Sequence, residues 1–188
     1  MSLKSLVEGA CQNNKNVELY EALGSFICDK DSVIQEFLNK NALDFLERNL
    51  CSIYLILDKE AFDNKKLKIE AYFALLHKAI RLNNDVSKSK KKKLAGSKEK
   101  NLASVVLIGQ LGKFINCCGD VQEISDITIA EIVSFVNEVI ASANQYIPCR
   151  FAMVECSEQL HQKGVYKNVG FTYLQKDNNY HQYYKVIN

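Results

Sequence analysis

The chain has 188 residues, of which 47% are hydrophobic and 24% charged, with one proline and no tryptophan. That balance predicts one globular domain burying about two thirds of its unfolded surface. Twenty-four basic against 22 acidic residues leave a net charge of +2, which excludes nucleic-acid binding by bulk charge alone. No apolar run approaches the roughly 20 residues that cross a bilayer, and the first residues lack a signal-like apolar core, so the sequence predicts a cytoplasmic protein with no membrane partner.

After a weakly helical start, residues 31–48 carry apolar side chains at three- and four-residue steps: Val33, Ile34, Phe37, Leu38, Ala42, Phe45 and Leu46. This is an amphipathic helix packed on a core, and the capping-box spacing of Ser32 and Gln35 places its start there. Cys51 to Leu57 is β-branched and aromatic, and Leu67 to Leu76 begins with alternation. The two read as a hairpin turning at Asp63-Asn64. Lys88 to Lys100 holds seven lysines and reads as a solvated loop or short surface helix, too short to separate domains.

Leu102 to Leu111 is a nearly continuous apolar run, the pattern of a strand buried on both faces. Gly109 and Gly112 near its end suggest a bulge or a close approach by another backbone. A polar loop from Asn116 to Asp126 follows, then a helix from about Thr128 to Tyr146. Ile129, Ile132, Val133, Val136, Val139, Ile140 and Ala143 would face inwards, and Thr128 with Glu131 has capping-box spacing. Pro148 closes this segment before a strand at Arg150 to Glu155. Strand, helix and strand predict a parallel crossover, and residues 172–174 with 182–187 predict a terminal antiparallel pair. The fold class is therefore α/β in the α+β sense: a mixed, mostly antiparallel sheet, one parallel β-α-β crossover, and helices on both faces. Residues 1–24 form a helical extension of a single domain, and 86–101 a lysine-rich loop.

The seven cysteines, at 11, 28, 51, 117, 118, 149 and 156, lack a secreted scaffold's paired spacing and are read as free thiols. Adjacent Cys117 and Cys118 cannot form an unstrained disulfide. Cys149, Cys156 and His161 match no compact zinc module, and His77, His161 and His181 have no ligand spacing, so no metal is expected.

The C-terminal order is distinctive: a strand ending at Glu155, then Cys156-Ser157-Glu158-Gln159, then Tyr166, then Gly170-Phe171 opening another strand. It resembles the GNAT N-acetyltransferase superfamily, whose motif reads roughly Asn-x6-Tyr-x3-Gly-Phe. Residues 107–113 are similar to that family's fourth strand, and Tyr54 to Asp58 with Ala71 to Ala74 to its second and third. The likeness covers about residues 25 to 187. It implies a GNAT-like fold and acetyl-CoA as co-substrate, with an acceptor amine that is a small molecule, a protein amine or aminoacyl-tRNA.

The implied cofactor-binding residues are Gln110, Leu111, Gly112 and Lys113 on the strand, Thr128, Ile129 and Ala130 at the helix start, and Gln159 at the asparagine position. Independently of the family, a helix N-terminus offers unpaired N–H groups and a positive dipole end to a diphosphate. The implied catalytic residues are Tyr166, as proton donor to the departing thiolate, and Glu155, as base. Each also has a structural reading: a tyrosine packed near a helix end and an ordinary strand-end carboxylate.

The sequence departs from the family at the phosphate loop. Asn116-Cys117-Cys118-Gly119-Asp120-Val121 replaces the usual glycine-rich pattern, Asp120, Glu123 and Asp126 are acidic, and no basic residue stands between Lys113 and Arg150. A catalytically degenerate binding module of the same fold is therefore the alternative. The Lys88–Lys100 run could contact RNA, and exposed sheet edges leave a homodimer open.

Overall fold

The computed structural model describes residues 1–12, 16–117, 122–146 and 149–187. In chain order the elements are α1 (Leu3–Gln12), α2 (Asn16–Gly24), α3 (Ser32–Glu36), a π-helical turn (Phe37–Asn41), α4 (Ala42–Glu47), β1 (Ser52–Leu57), α5 (Lys59–Asp63), β2 (Ile69–Arg81) and α6 (Lys88–Ala95). The second half adds β3 (Leu102–Lys113), β4 (Ile115–Asn116), β5 (Glu123–Ile124), α7 (Ile129–Ala143), β6 (Phe151–Cys156), α8 (Glu158–Gln162), α9 (Val165–Asn168), β7 (Thr172–Asp177) and β8 (Tyr180–Val186). Six strands hydrogen-bond in the order β1-β2-β3-β6-β8-β7, and β4 with β5 forms a separate two-stranded pair. The β3–β6 pair is parallel; β1–β2, β6–β8 and β7–β8 are antiparallel. This is the expected GNAT-like class. No helix among the described residues is long and apolar enough to cross a membrane.

The chain divides into two compact units, one of Met1–Leu75 with Gln110–Thr128, the other of Leu76–Gly109 with Ile129–Asn188. The first unit's core gathers Leu3, Leu19, Leu23, Phe26, Leu38, Ile53, Leu55 and Tyr72. The helix from residue 32 to 47 forms as its apolar spacing predicts, with one change of start. Asp31 rather than Ser32 is its N-cap, the carboxylate accepting from the N–H of Val33 and Ile34 at 3.0 and 3.2 Å. The Gln35 side chain accepts instead from the Cys28 N–H at 2.9 Å. The anticipated turn at Asp63-Asn64 is the end of α5, a short helix capped by Asp58 through the Ala61 N–H. Propensity within residues 58–64 thus makes a helical connection where alternation on either side had suggested a plain turn.

The second unit's core gathers Ile80, Leu82, Leu94, Val105, Leu107, Phe151, Met153, Leu174 and Tyr184. In α7 the buried residues are Ile132, Val133, Val136 and Ile140; Ala143, expected inside, is exposed because it is the helix's last residue. The lysine run folds into α6, whose N-cap Ser87 accepts from the Lys90 N–H and whose end is set by Gly96 at φ 75°. It is not wholly solvated: Lys91 is buried, its ammonium donating to Asn101 Oδ1 at 2.9 Å. Lys90 donates to the Tyr173 carbonyl at 3.0 Å, and Lys93 lies over the Tyr184 ring. Cys118, Gly119, Asp120, Val121 and Pro148, each given a role from sequence, fall outside the described residues.

Candidate functional site

In the second unit the β3–β6 ladder pairs Val106 with Ala152, Leu107 with Met153 and Ile108 with Val154. β6 continues to Glu155 and Cys156, whose partners are Gln182 and His181 of β8. The parallel pairing thus ends three rungs into two longer strands.

Beyond β6 the chain makes two short helices jointed at Gly164. Its φ of 63° is a left-handed conformation that glycine adopts without strain. Gly164 is the break between α8 and α9. That break carries Tyr166 onto α9, where its ring meets Phe171 edge-on at 6.0 Å and lies 6.3 Å from Tyr183. The Phe171 N–H donates to the Tyr166 carbonyl at 3.0 Å, closing the turn into β7. Burial, and secondarily the Cys156 thiol group, pushes the Tyr166 phenol up to about 12. At neutral pH it is protonated and able to donate.

Glu155 sits in a different environment from a free base. Both its oxygens accept from Lys78 Nζ, at 3.0 and 3.2 Å, and Oε1 also accepts from Gln182 Nε2 at 2.8 Å. Gln182 Oε1 accepts from Gln175 Nε2 at 2.7 Å, and Gln175 Oε1 accepts from the Asn83 N–H at 2.8 Å. Both glutamines are buried. Glu155 therefore terminates a buried amide chain with a lysine as counter-ion. Gln159 is exposed on α8, and Ile129 and Ala130 open α7 in this same unit.

The remaining residues singled out from sequence lie in the first unit. Gln110, Leu111, Gly112 and Lys113 end β3, and Thr128 is exposed. Gly112 is buried, and a Cβ there would stand 2.5 Å from both Ile34 Cγ2 and Tyr72 Cε1. The expected approach by another backbone is thus replaced by close contact with two side chains. Tyr72 is wholly buried, donates to the Ile34 carbonyl at 2.6 Å, and has its pKa driven far up by burial. The acidity of the segment before α7 is partly compensated: Glu123 pairs with Lys68 at 3.0 Å.

One cluster escaped the sequence reading. Glu158 and His161, three residues apart on α8, meet His181 of β8. Glu158 Oε2 lies 2.8 Å from His181 Nε2 and 3.2 Å from Lys176 Nζ. His181 and then Lys176 hold the Glu158 carboxyl down at about 2. His161 and His181 stack at 3.7 Å and 14°, and His161 Nδ1 is 2.8 Å from the Tyr183 hydroxyl. Histidines twenty residues apart in sequence give no signal of this kind. The Glu-x-x-His spacing was the one available hint.

Neither a protein-family model nor a curated protein matches the sequence. Among solved structures the chain is similar to AtaT in complex with acetyl-methionyl-tRNAfMet, at 20% identity and a TM-score of 0.66 over 87% of this chain and 86% of that one. It is similar to AtaTR bound with AcCoA, at 19% identity and a TM-score of 0.63 over 88% and 86%. A tyrosine-to-phenylalanine variant of KacT matches at 16% identity and a TM-score of 0.62 over 87% and 86%. At these identities the likeness is one of fold: the chain has the GNAT-like fold of these AtaT and KacT structures.

Proposed function

We propose that this protein is an acetyl-CoA-dependent N-acetyltransferase acting on a primary amine, with aminoacyl-tRNA as the acceptor class. The observation carrying the reading is Tyr166: a protonated, partly buried phenol on the turn that follows β6, within the fold of structures bound to AcCoA and to an acetylated aminoacyl-tRNA. Gln110, Leu111, Gly112 and Lys113 of β3, and Thr128, Ile129 and Ala130 around the start of α7, are the residues proposed to contact the coenzyme, a helix N-terminus being favourable to a diphosphate. Gln159 stands where the motif places a contact to the coenzyme.

In the reaction the amine nitrogen attacks the thioester carbonyl, the C–S bond breaks, and the electron pair leaves on sulfur. A main-chain N–H would polarise the carbonyl, the residues around Leu111 being the candidates. Tyr166 gives its proton to sulfur, and the proton lost by nitrogen restores the phenol. An α-amine with a pKa near 8 is partly neutral at physiological pH, so no strong base is required, and Glu155, engaged by Lys78 and Gln182, is left to hold the end of β6. For the tRNA, the exposed Lys88, Lys92, Lys98 and Lys100 offer phosphate contacts.

The test is thiol release from acetyl-CoA with aminoacyl-tRNA, protein and small amines as acceptors, together with calorimetric titration of acetyl-CoA. Binding, with release that depends on charged tRNA and slows at least about tenfold in Tyr166→Phe, supports the proposal. Binding with no turnover on any amine supports the degenerate module, for which the acidic stretch at Glu123 and Asp126 speaks. An unchanged rate in Tyr166→Phe removes that residue from the chemistry.

A further inference from the structure

We propose that Glu158, His161 and His181 form a binding site for one divalent cation of the zinc or cobalt kind. Each residue presents a ligand atom, and these atoms all lie within 4.8 Å of one another. A tetrahedral ion with ligand bonds of about 2.0–2.2 Å sets ligand atoms about 3.3–3.6 Å apart, so side-chain rotation must open the 2.8 Å Glu158–His181 pair, close the wider separations and tilt the two stacked imidazoles. Two imidazoles and a carboxylate are a donor set that zinc takes, the fourth position going to water.

The placement comes from the fold. Glu158 and His161, at i and i+3, project from one face of α8, and α8 packs on β8, which carries His181. Tyr183, two residues along β8, engages His161 at Nδ1, so the Nε2 of that ring is available as a ligand. An outer partner that fixes the tautomer and aim of a ligating imidazole is what a metal site requires.

Burial fixes the third member of the cluster. The His181 side chain is only 7% exposed, and its Nδ1 is buried with no hydrogen-bond partner among the described residues. Buried polar atoms are nearly always satisfied. Glu158 faces Nε2, the nitrogen that a cation shared by the two residues would take, while Nδ1 stays buried and unpartnered. Lys176 is the native competitor at Glu158, and a bound cation would displace it. The ion would tie α8 to β8 immediately before the Gly164 joint and Tyr166, a structural role that does not depend on acetyl transfer.

Cobalt(II) titration of tag-free, chelator-treated protein tests this, followed by visible absorption and displacement with zinc. One cobalt per chain, visible ligand-field bands without thiolate charge transfer, and at least about tenfold weaker binding in both His161→Ala and His181→Gln support the site. Lys176→Ala should bind tighter than the parent. His161 is partly exposed, so His161→Ala keeps the test decisive if His181→Gln fails to fold, with circular dichroism as the check. No saturable uptake by folded parent protein overturns the proposal. So does full retention in His161→Ala, or a thiolate band that disappears in Cys156→Ser.

Discussion

Gly112→Ala probes the closest approach to a described glycine of the first unit. An added Cβ would stand 2.5 Å from Ile34 Cγ2 and from Tyr72 Cε1, where carbon contacts favour about 3.5–4.0 Å. Roughly 1 Å must be recovered on each side. Tyr72 cannot yield cheaply: its ring lies edge-on to Phe26 at 5.4 Å and parallel to Phe37 at 6.1 Å, and its hydroxyl holds the Ile34 carbonyl. Overpacking of this kind costs about 1–3 kcal/mol, and losing the hydroxyl bond adds about 1 kcal/mol. The lower entropy of the unfolded alanine chain returns about 0.4–1 kcal/mol. The net expectation is a loss of about 1–3 kcal/mol, read from equilibrium urea denaturation with the m-value unchanged. Gly109→Ala is the control, since its Cβ would meet only the Leu76 Cδ2 tip, at 2.8 Å, and rotation of that leucine relieves it. Ile34→Ala combined with Gly112→Ala should recover part of the loss through a favourable coupling. A Gly112→Ala protein as stable as its parent, or no worse than Gly109→Ala, refutes the packing described for this position.

Two further expectations concern ionisation. Glu155→Gln should leave thiol-release rates within about threefold of the parent, far short of the hundredfold or more for a lost general base; a larger fall would restore Glu155 to the proton path. Tyr166 is neutral in the folded chain until about 12, against about 10 unfolded. Between those values the unfolded state has released a proton that the folded state keeps, so stability is present below pH 10 and falls as pH rises. The slope is about 1.4 kcal/mol per pH unit for this group, and denaturation series in Tyr166→Phe should show a shallower alkaline decline; an identical decline would contradict the burial of the phenol.

Local rules read well where one element decides its own fate. The apolar spacing of residues 31–48, the crossover from β3 through α7 to β6, and the closing pair β7–β8 all follow from periodicity. What escaped depends on partners far along the chain. The Glu155 carboxylate is one strand-end acid in sequence; its meaning comes from Lys78, 77 positions earlier, and Gln182, 27 later. Gly112 announced a close approach, but that Tyr72 and Ile34 fill the space is a consequence of tertiary packing. Likewise Lys91 reads as one of seven solvated lysines until Asn101 draws its ammonium inwards. This also changes which lysines suit a test of RNA binding. Replacing exposed Lys88, Lys92 and Lys98 with serine should weaken binding and flatten its salt dependence without disturbing the α6 anchor.

If the chain transfers acetyl groups as proposed, the Tyr166 environment constrains the timing of the step. A phenol near 12 facing a thiol of ordinary pKa near 8.5 loses its proton uphill by about 3.5 units, or roughly 5 kcal/mol. Full transfer to a free thiolate is therefore unfavourable. Donation becomes favourable when it accompanies C–S cleavage and when the nitrogen, acidified by acylation, returns a proton to the phenol in the same event. Under the proposed function the phenol would act chiefly as a directed hydrogen-bond donor to developing charge on sulfur, with a contribution on the tenfold-to-hundredfold scale at the low end of general acids. The pH–rate profile should rise with deprotonation of the acceptor amine and stay level up to at least about pH 10, because Tyr166 does not ionise in that range. An alkaline fall centred near pH 9 that vanishes in Tyr166→Phe would mean that the phenol is far more acidic than its burial allows, and would sink this account of the proton.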